Sequence, residues 1–127
     1  MTKYFNLDNP APYLSARSWV MMNLDTGDIM YAKQENEKRQ VASLTKIITA
    51  LVILDFLSLH GLDPKKIKVN ILSCCVTSRL GGTSAELLDN DTMTVFELLH
   101  GMMLPSGNDA AQALAIYFGH LKILMAT

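Results

Sequence analysis

The chain has 127 residues, of which 50% are apolar and 18% charged, and its 11 basic and 12 acidic side chains leave a net charge of −1. That is one domain's worth of sequence, apolar enough to bury a modest core and unlike a disordered segment. Charge so evenly balanced gives no electrostatic basis for a nucleic-acid partner or an anionic membrane surface.

Residues 1–15 form an irregular lead-in, with Pro10 and Pro12 in turn-forming positions and Tyr13 and Leu14 as its packing candidates. The stretch has no apolar central region of the kind a secretory signal carries. In "SWVMMNLDTGDIMYAKQ", Trp19 to Leu24 suit a strand, "DTG" a tight turn and Ile29 to Tyr31 a returning strand, which predicts a β-hairpin. "QENEKRQ", residues 34–40, is a charged surface connection.

A helix is predicted from about Leu44 to Leu59, apolar around most of its circumference and therefore buried on several sides. Its apolar run, Ile47 to Leu59, is 13 residues long and holds Thr49, Asp55 and Ser58, too short and too polar to span a bilayer. Gly61 is placed to stop it. "DPKKIKVNIL" reads as a turn and a strand, and the adjacent Cys74 and Cys75 supply neither a disulfide framework nor a zinc site. "SRLGGTSAELLDNDTMT" is a polar, glycine-rich loop with short ordered pieces. Thr94 caps a helix through "VFELLHGMML", "PSGN" breaks it, and Asp109 to Phe118 form a last helix ending near Gly119. The mixture is α+β. His60, His100 and His120 fall at no metal-ligand spacing.

Two elements carry candidate chemistry. Ser43 and Lys46 stand three apart at a helix start, so their side chains share a face. A serine hydroxyl needs a base, and a lysine serves as one when desolvation and nearby positive potential lower its pKa. A helix N-terminus supplies such potential, and its free N–H groups suit an oxyanion. The same two residues also fit an ordinary N-cap serine and a solvent-reaching lysine. In "LPSGND", Ser106 and Asn108 lie between two helices, where the hydroxyl can relay a proton to a leaving amine and the carboxamide can hold a substrate amide. A plain turn accounts for them equally well.

Taken together, serine-x-x-lysine followed by serine-x-asparagine is the motif order of the penicillin-binding proteins and serine β-lactamases. "ARSWVMMNLDTGDIMYAKQENEKRQVASLTKIITALVIL" and "GGTSAELLDNDTMTVFELLHGMMLPSGNDAAQALA" make residues 16–119 resemble the low-molecular-mass D-alanyl-D-alanine carboxypeptidases. The resemblance implies a serine peptidase in which Ser43 is the nucleophile, Lys46 the general base, and Ser106 with Asn108 the second catalytic motif. It implies peptides ending in D-Ala-D-Ala as substrates, β-lactams as acylating analogues, and neither a metal nor an organic cofactor. The implied fold is a helical region plus an N-terminal β-hairpin from an antiparallel sheet whose remaining strands lie elsewhere in the domain. It divides the chain into an arm (1–15), a catalytic part (16–119) and a divergent tail (120–127).

The family's third element, Lys-Thr-Gly on a strand beside the serine, has no counterpart in this sequence. Its absence implies that the chain holds the N-terminal part of the catalytic domain. Two other readings stay open: a β-lactamase-like serine hydrolase, and a non-catalytic penicillin- or partner-binding remnant. Compartment and oligomeric state stay open as well.

Overall fold

A computed structural model describes residues 13–75 and 81–126. Most of the lead-in expected over residues 1–15, and the start of the glycine-rich loop, lie outside the described residues. Tyr13 is 97% exposed, so the packing expected of it does not occur. The chain divides into two compact units, one ending at Gln40 and the other beginning at Val41.

In the first unit, β1 (Trp19–Met22) pairs antiparallel with β2 (Ile29–Lys33), and the register shifts between Met21 and Met22. The first strand ends before Leu24 because Asn23 starts a turn. Its side-chain oxygen accepts from the Asp25 and Thr26 N–H groups at 2.8 and 3.2 Å, and Gly27 adopts a φ of +74° to close the loop. At the foot of the hairpin, Arg39 donates to Ser18 Oγ, Gln34 Oε1 and Glu37 Oε2, which ties down the charged connection.

The second unit holds α1 (Thr45–Leu59), β3 (Lys68–Asn70), β4 (Thr92–Thr94), α2 (Val95–Met103) and α3 (Asn108–Ala126), with a short 3-10 turn at Ala42–Leu44 leading into α1. Gly61, at a φ of +62°, ends α1 as expected, and the Leu62 N–H donates back to the Leu57 carbonyl. β3 pairs antiparallel with β4. The second of these strands falls in the loop expected to hold short ordered pieces: Thr-Met-Thr is too short to show alternation, and pairing with β3 creates it. Thr94 caps α2 as expected, in a reciprocal box with Glu97. α3 does not end near Gly119 but continues to Ala126. A lone glycine costs a helix only about 1 kcal/mol relative to alanine, which neighbouring turns outweigh.

The core of this unit gathers Ile53 and Leu57 from α1, Val69 and Ile71 from β3 and the residue after it, Val95, Leu98 and Met102 from α2, and Ala110, Ala113 and Leu114 from α3. Cys75 and Leu87 join them. Cys74 is exposed and Cys75 buried, with their sulfurs 3.9 Å apart.

α1 differs most from expectation. Only Lys46, Ile53 and Leu57 are buried on it, while Ile47, Ile48, Leu51, Val52 and Leu54 are 49–62% exposed. α2 and α3 pack against a single stripe of this helix, and its remaining apolar circumference has no cover from them. An apolar groove of about 350 Å³ runs between α1 and α3, lined by Ile48, Val52, Phe56, Leu114 and Phe118. With the leading turn included, the 18 residues Ala42–Leu59 are long and apolar enough by length and composition to cross a membrane. The 3-10 turn thus continues the helical run beyond the 13 residues Ile47–Leu59.

The one-sided packing separates two substitutions of the same type. Leu98→Ala, at a position with 0% exposure, is expected to lower unfolding free energy by about 2–5 kcal/mol in urea titration. Leu51→Ala, at 52% exposure, is expected to change it by less than about 0.5 kcal/mol.

Candidate active site

Ser43 is not the N-cap of α1. It lies in the 3-10 turn, the cap position is Leu44, and no side chain caps that end. Ala42 takes a φ of +44° and Thr45 Oγ1 donates to its carbonyl at 2.7 Å, so the turn is held without the serine hydroxyl. The hydroxyl is thereby left to face Lys46.

Lys46 does not reach solvent either. It is 8% exposed. Its Nζ donates to the Ser106 carbonyl at 2.8 Å, to Ser106 Oγ at 3.1 Å, to Asn108 Oδ1 at 2.7 Å and to Ser43 Oγ at 3.4 Å. An ammonium has three N–H donors, so four acceptors share them, and Ser43 is the farthest. Ser106 Oγ donates to Ser43 Oγ at 2.9 Å, which links the two hydroxyls directly as well as through the amine. Ser43 is therefore not an N-cap serine, and Lys46 is not a solvent-reaching lysine.

The other half of the site is the break between α2 and α3. Ser106 takes a φ of +60°, a left-handed conformation that costs a non-glycine residue about 1–2 kcal/mol. It is held there by two donors to its carbonyl, Lys46 Nζ at 2.8 Å and Thr83 Oγ1 at 2.6 Å. Gly107 has no room for a side chain: a Cβ would stand 2.7 Å from the Gly101 carbonyl oxygen and 2.8 Å from the Ala85 nitrogen.

Asn108 is fixed at both ends of its carboxamide. Oδ1 faces the lysine amine, and Nδ2 donates to the Gly81 carbonyl at 2.8 Å. Its own N–H donates to the Thr83 carbonyl at 2.8 Å. Gly82, at a φ of +78°, passes so close that a Cβ would lie 2.7 Å from Asn108 Nδ2.

The structure thus brings together all four residues that the spacing singled out, Ser43, Lys46, Ser106 and Asn108. It also adds a wall that the sequence reading treated as loop. Thr83, Gly81 and Gly82 hold the second motif, and Asp109, 2% exposed, sits directly behind it. The Asp109 carboxylate accepts from Ser84 Oγ at 2.7 Å, from the Ala85 N–H at 2.8 Å, from the Leu87 N–H at 3.2 Å and from the Ala110 N–H at 2.9 Å. Burial pushes its pKa up, but the hydrogen bonds from Ala85, Ser84, Leu87 and Ala110 outweigh that and hold it below the ordinary carboxylate value. The Gly-Gly pair was the available signal for the wall, since two adjacent glycines mark a close backbone approach. Among the described residues no three His, Cys, Asp or Glu side chains cluster to hold a metal ion.

Comparison with known proteins follows the same lines. The family model described as D-alanyl-D-alanine carboxypeptidase matches residues 6–120. The chain is 38% identical over 102 residues to the D-alanyl-D-alanine carboxypeptidase DacF of Bacillus subtilis, covering 79% of this chain and 25% of that protein. It is 40% identical over 108 residues to the D-alanyl-D-alanine carboxypeptidase of Streptomyces sp. K15, covering 85% of this chain and 36% of that protein. Its structure superposes on the crystal structure of the D-alanyl-D-alanine carboxypeptidase DacD from Francisella tularensis with a TM-score of 0.76 at 33% identity, covering 86% of this chain and 26% of the other. The chain therefore spans between a quarter and about a third of the length of the relatives it matches.

Two outcomes follow from this geometry. The stability that Asp109 contributes is fully present above the ordinary carboxylate pKa and is lost as pH falls through its lowered folded value. Wild type is therefore expected to lose stability below about pH 4 more steeply than Asp109→Asn, in unfolding titrations at stepped pH. Gly82→Ala combines a left-handed φ with a contact on Asn108, and is expected to cost about 1–2 kcal/mol or more in thermal unfolding.

Proposed function

This chain belongs to the D-alanyl-D-alanine carboxypeptidase family of serine peptidases, and from that membership we propose that Ser43 forms an acyl-enzyme with peptides ending in D-Ala-D-Ala. The observation that carries the reading is the placement of one buried amine, Lys46 Nζ, among Ser43 Oγ, Ser106 Oγ and Asn108 Oδ1.

The step requires the neutral amine, whose lone pair takes the Ser43 proton by either of two routes as the hydroxyl attacks the substrate carbonyl. One is direct, over the 3.4 Å contact; the other runs through the Ser106 hydroxyl, with steps of 2.9 and 3.1 Å. In the resting arrangement Ser106 donates to Ser43. Attack by the second route requires both hydroxyls to rotate so that Ser43 donates instead. The same path then returns the proton to the departing D-alanine amine, leaving an ester on Ser43 that water hydrolyses. Asn108 orients the amine in this state. Holding a substrate amide, the role expected of it from the sequence, requires its bond to Lys46 or to Gly81 to yield.

These 127 residues contain no Lys-Thr-Gly. They supply nucleophile, base and relay, while the carboxylate-binding element and its share of the oxyanion site have no representative here. The catalytic part is assigned to residues 16–119.

A labelled β-lactam separates the readings. Wild type is expected to gain a covalent adduct on Ser43, located by mass spectrometry, and Ser43→Ala none. The rate is expected to be ~10²-fold or more below that of a full-length carboxypeptidase, since each lost oxyanion or substrate-holding contact costs about that much. D-Alanine release from a D-Ala-D-Ala peptide would identify a carboxypeptidase; hydrolysis of the β-lactam alone would identify a β-lactamase-like enzyme. A folded chain that takes no label at all would overturn the proposal.

A further inference from the structure

Asp109 takes no part in the chemistry above, yet among the described residues it is the buried acidic side chain, and the one buried basic side chain is Lys46. Burying a carboxylate is costly unless it is paired or fully hydrogen-bonded. Here the partners are hydrogen-bond donors rather than a cation, and their distribution is informative. The Ala110 N–H at 2.9 Å is a contact within the first turn of α3, as expected of an acid at a helix start. The other donors, Ser84 Oγ and the Ala85 and Leu87 N–H groups, come from a segment 22–25 residues upstream.

That segment is continuous with the one that grips the second motif. Thr83 Oγ1 donates to the Ser106 carbonyl, the Asn108 N–H to the Thr83 carbonyl, and Asn108 Nδ2 to the Gly81 carbonyl. The two segments are closely packed. No Cβ fits at Gly82 against Asn108, or at Gly107 against Ala85. A single carboxylate, one residue beyond Asn108, thus holds the strip that holds Asn108 and Ser106.

We propose that Asp109 is a positioning residue: by fixing residues 84–87 it seats the 81–83 strip on the Ser106–Asn108 turn and so keeps both side chains on Lys46. Loss of a purely stabilising acid would lower the stability of the whole unit and leave the turn unchanged in the molecules that remain folded. Loss of a positioning acid changes the turn while the core stays intact. The catalytic part of the claim rests on the function proposed above; the structural part does not.

The test compares wild type, Asp109→Asn and Ser84→Ala. Asparagine exchanges an accepting oxygen for an NH₂ group that faces donors, while Ser84→Ala removes one donor and keeps the carboxylate. Two quantities are read: amide hydrogen exchange, at Asn108 against the α2 core amides, and Ser43 acylation by a labelled β-lactam, resolved into affinity and acylation step. For Asp109→Asn, Asn108 exchange is expected to accelerate ~10-fold or more with α2 protection kept. The acylation step is expected to fall ~10-fold with apparent affinity within ~2-fold. Ser84→Ala is expected to move both the same way, by ~3-fold. Unchanged Asn108 exchange and acylation in a cooperatively folded Asp109→Asn protein overturn the proposal. If that variant does not fold, unchanged Asn108 exchange in Ser84→Ala does so. If wild type takes no label, the proposed function falls, and the exchange measurement alone decides the role of Asp109.

Discussion

A primary amine held at 8% exposure is the constraint on which the second unit depends. Such a group loses its hydration and must be compensated by oxygens placed around it. All four of its acceptors are supplied by Ser43, Ser106 and Asn108, the first from the turn before α1 and the others from the break between α2 and α3. None of them is a carboxylate. The contacts orient the amine without making it half of an ion pair, and two of the four oxygens are hydroxyls able to exchange protons with it.

The cost of that arrangement is visible in the backbone. Ser106 adopts a left-handed conformation, and Gly107 tolerates no Cβ. Strain of this kind persists only where the surroundings over-determine it. Here the determinants are Lys46 and Thr83 on the Ser106 carbonyl, the Gly107 N–H on the Gly101 carbonyl, and the Asp109 carboxylate behind the loop. The turn at Ser106–Asn108 is thus strained and clamped from three directions, and its side chains are held toward the amine.

α1 carries a different message. Its sequence is apolar on nearly every side, but α2 and α3 cover only the stripe that includes Ile53 and Leu57. The helix therefore presents more apolar surface than its neighbours in this unit bury, and the α1–α3 groove adds to it. The matched relatives are about three to four times as long as the segment shared with this chain. A helix with apolar residues all round is suited to packing between layers of secondary structure.

The sequence by itself determined the local elements whose cause is local: the hairpin, the capped start of α2, the glycine stop of α1, and the four residues Ser43, Lys46, Ser106 and Asn108. It also carried the family, because the two motifs and their flanks are contiguous strings. Only the tertiary structure decided what those residues face. Spacing puts Ser43 and Lys46 on one helical face but is silent on whether the amine points to water, and the answer came from residues 60–62 positions away. Asp109 read as the first residue of a helix, and the Gly-Thr-Ser stretch as loop, because their partners lie 22–25 residues apart in sequence. β4 was invisible for the same reason, three residues whose strand character exists only in pairing with β3. Local propensity is written within a few residues of chain; the burial of a charge is settled by whatever the fold brings against it.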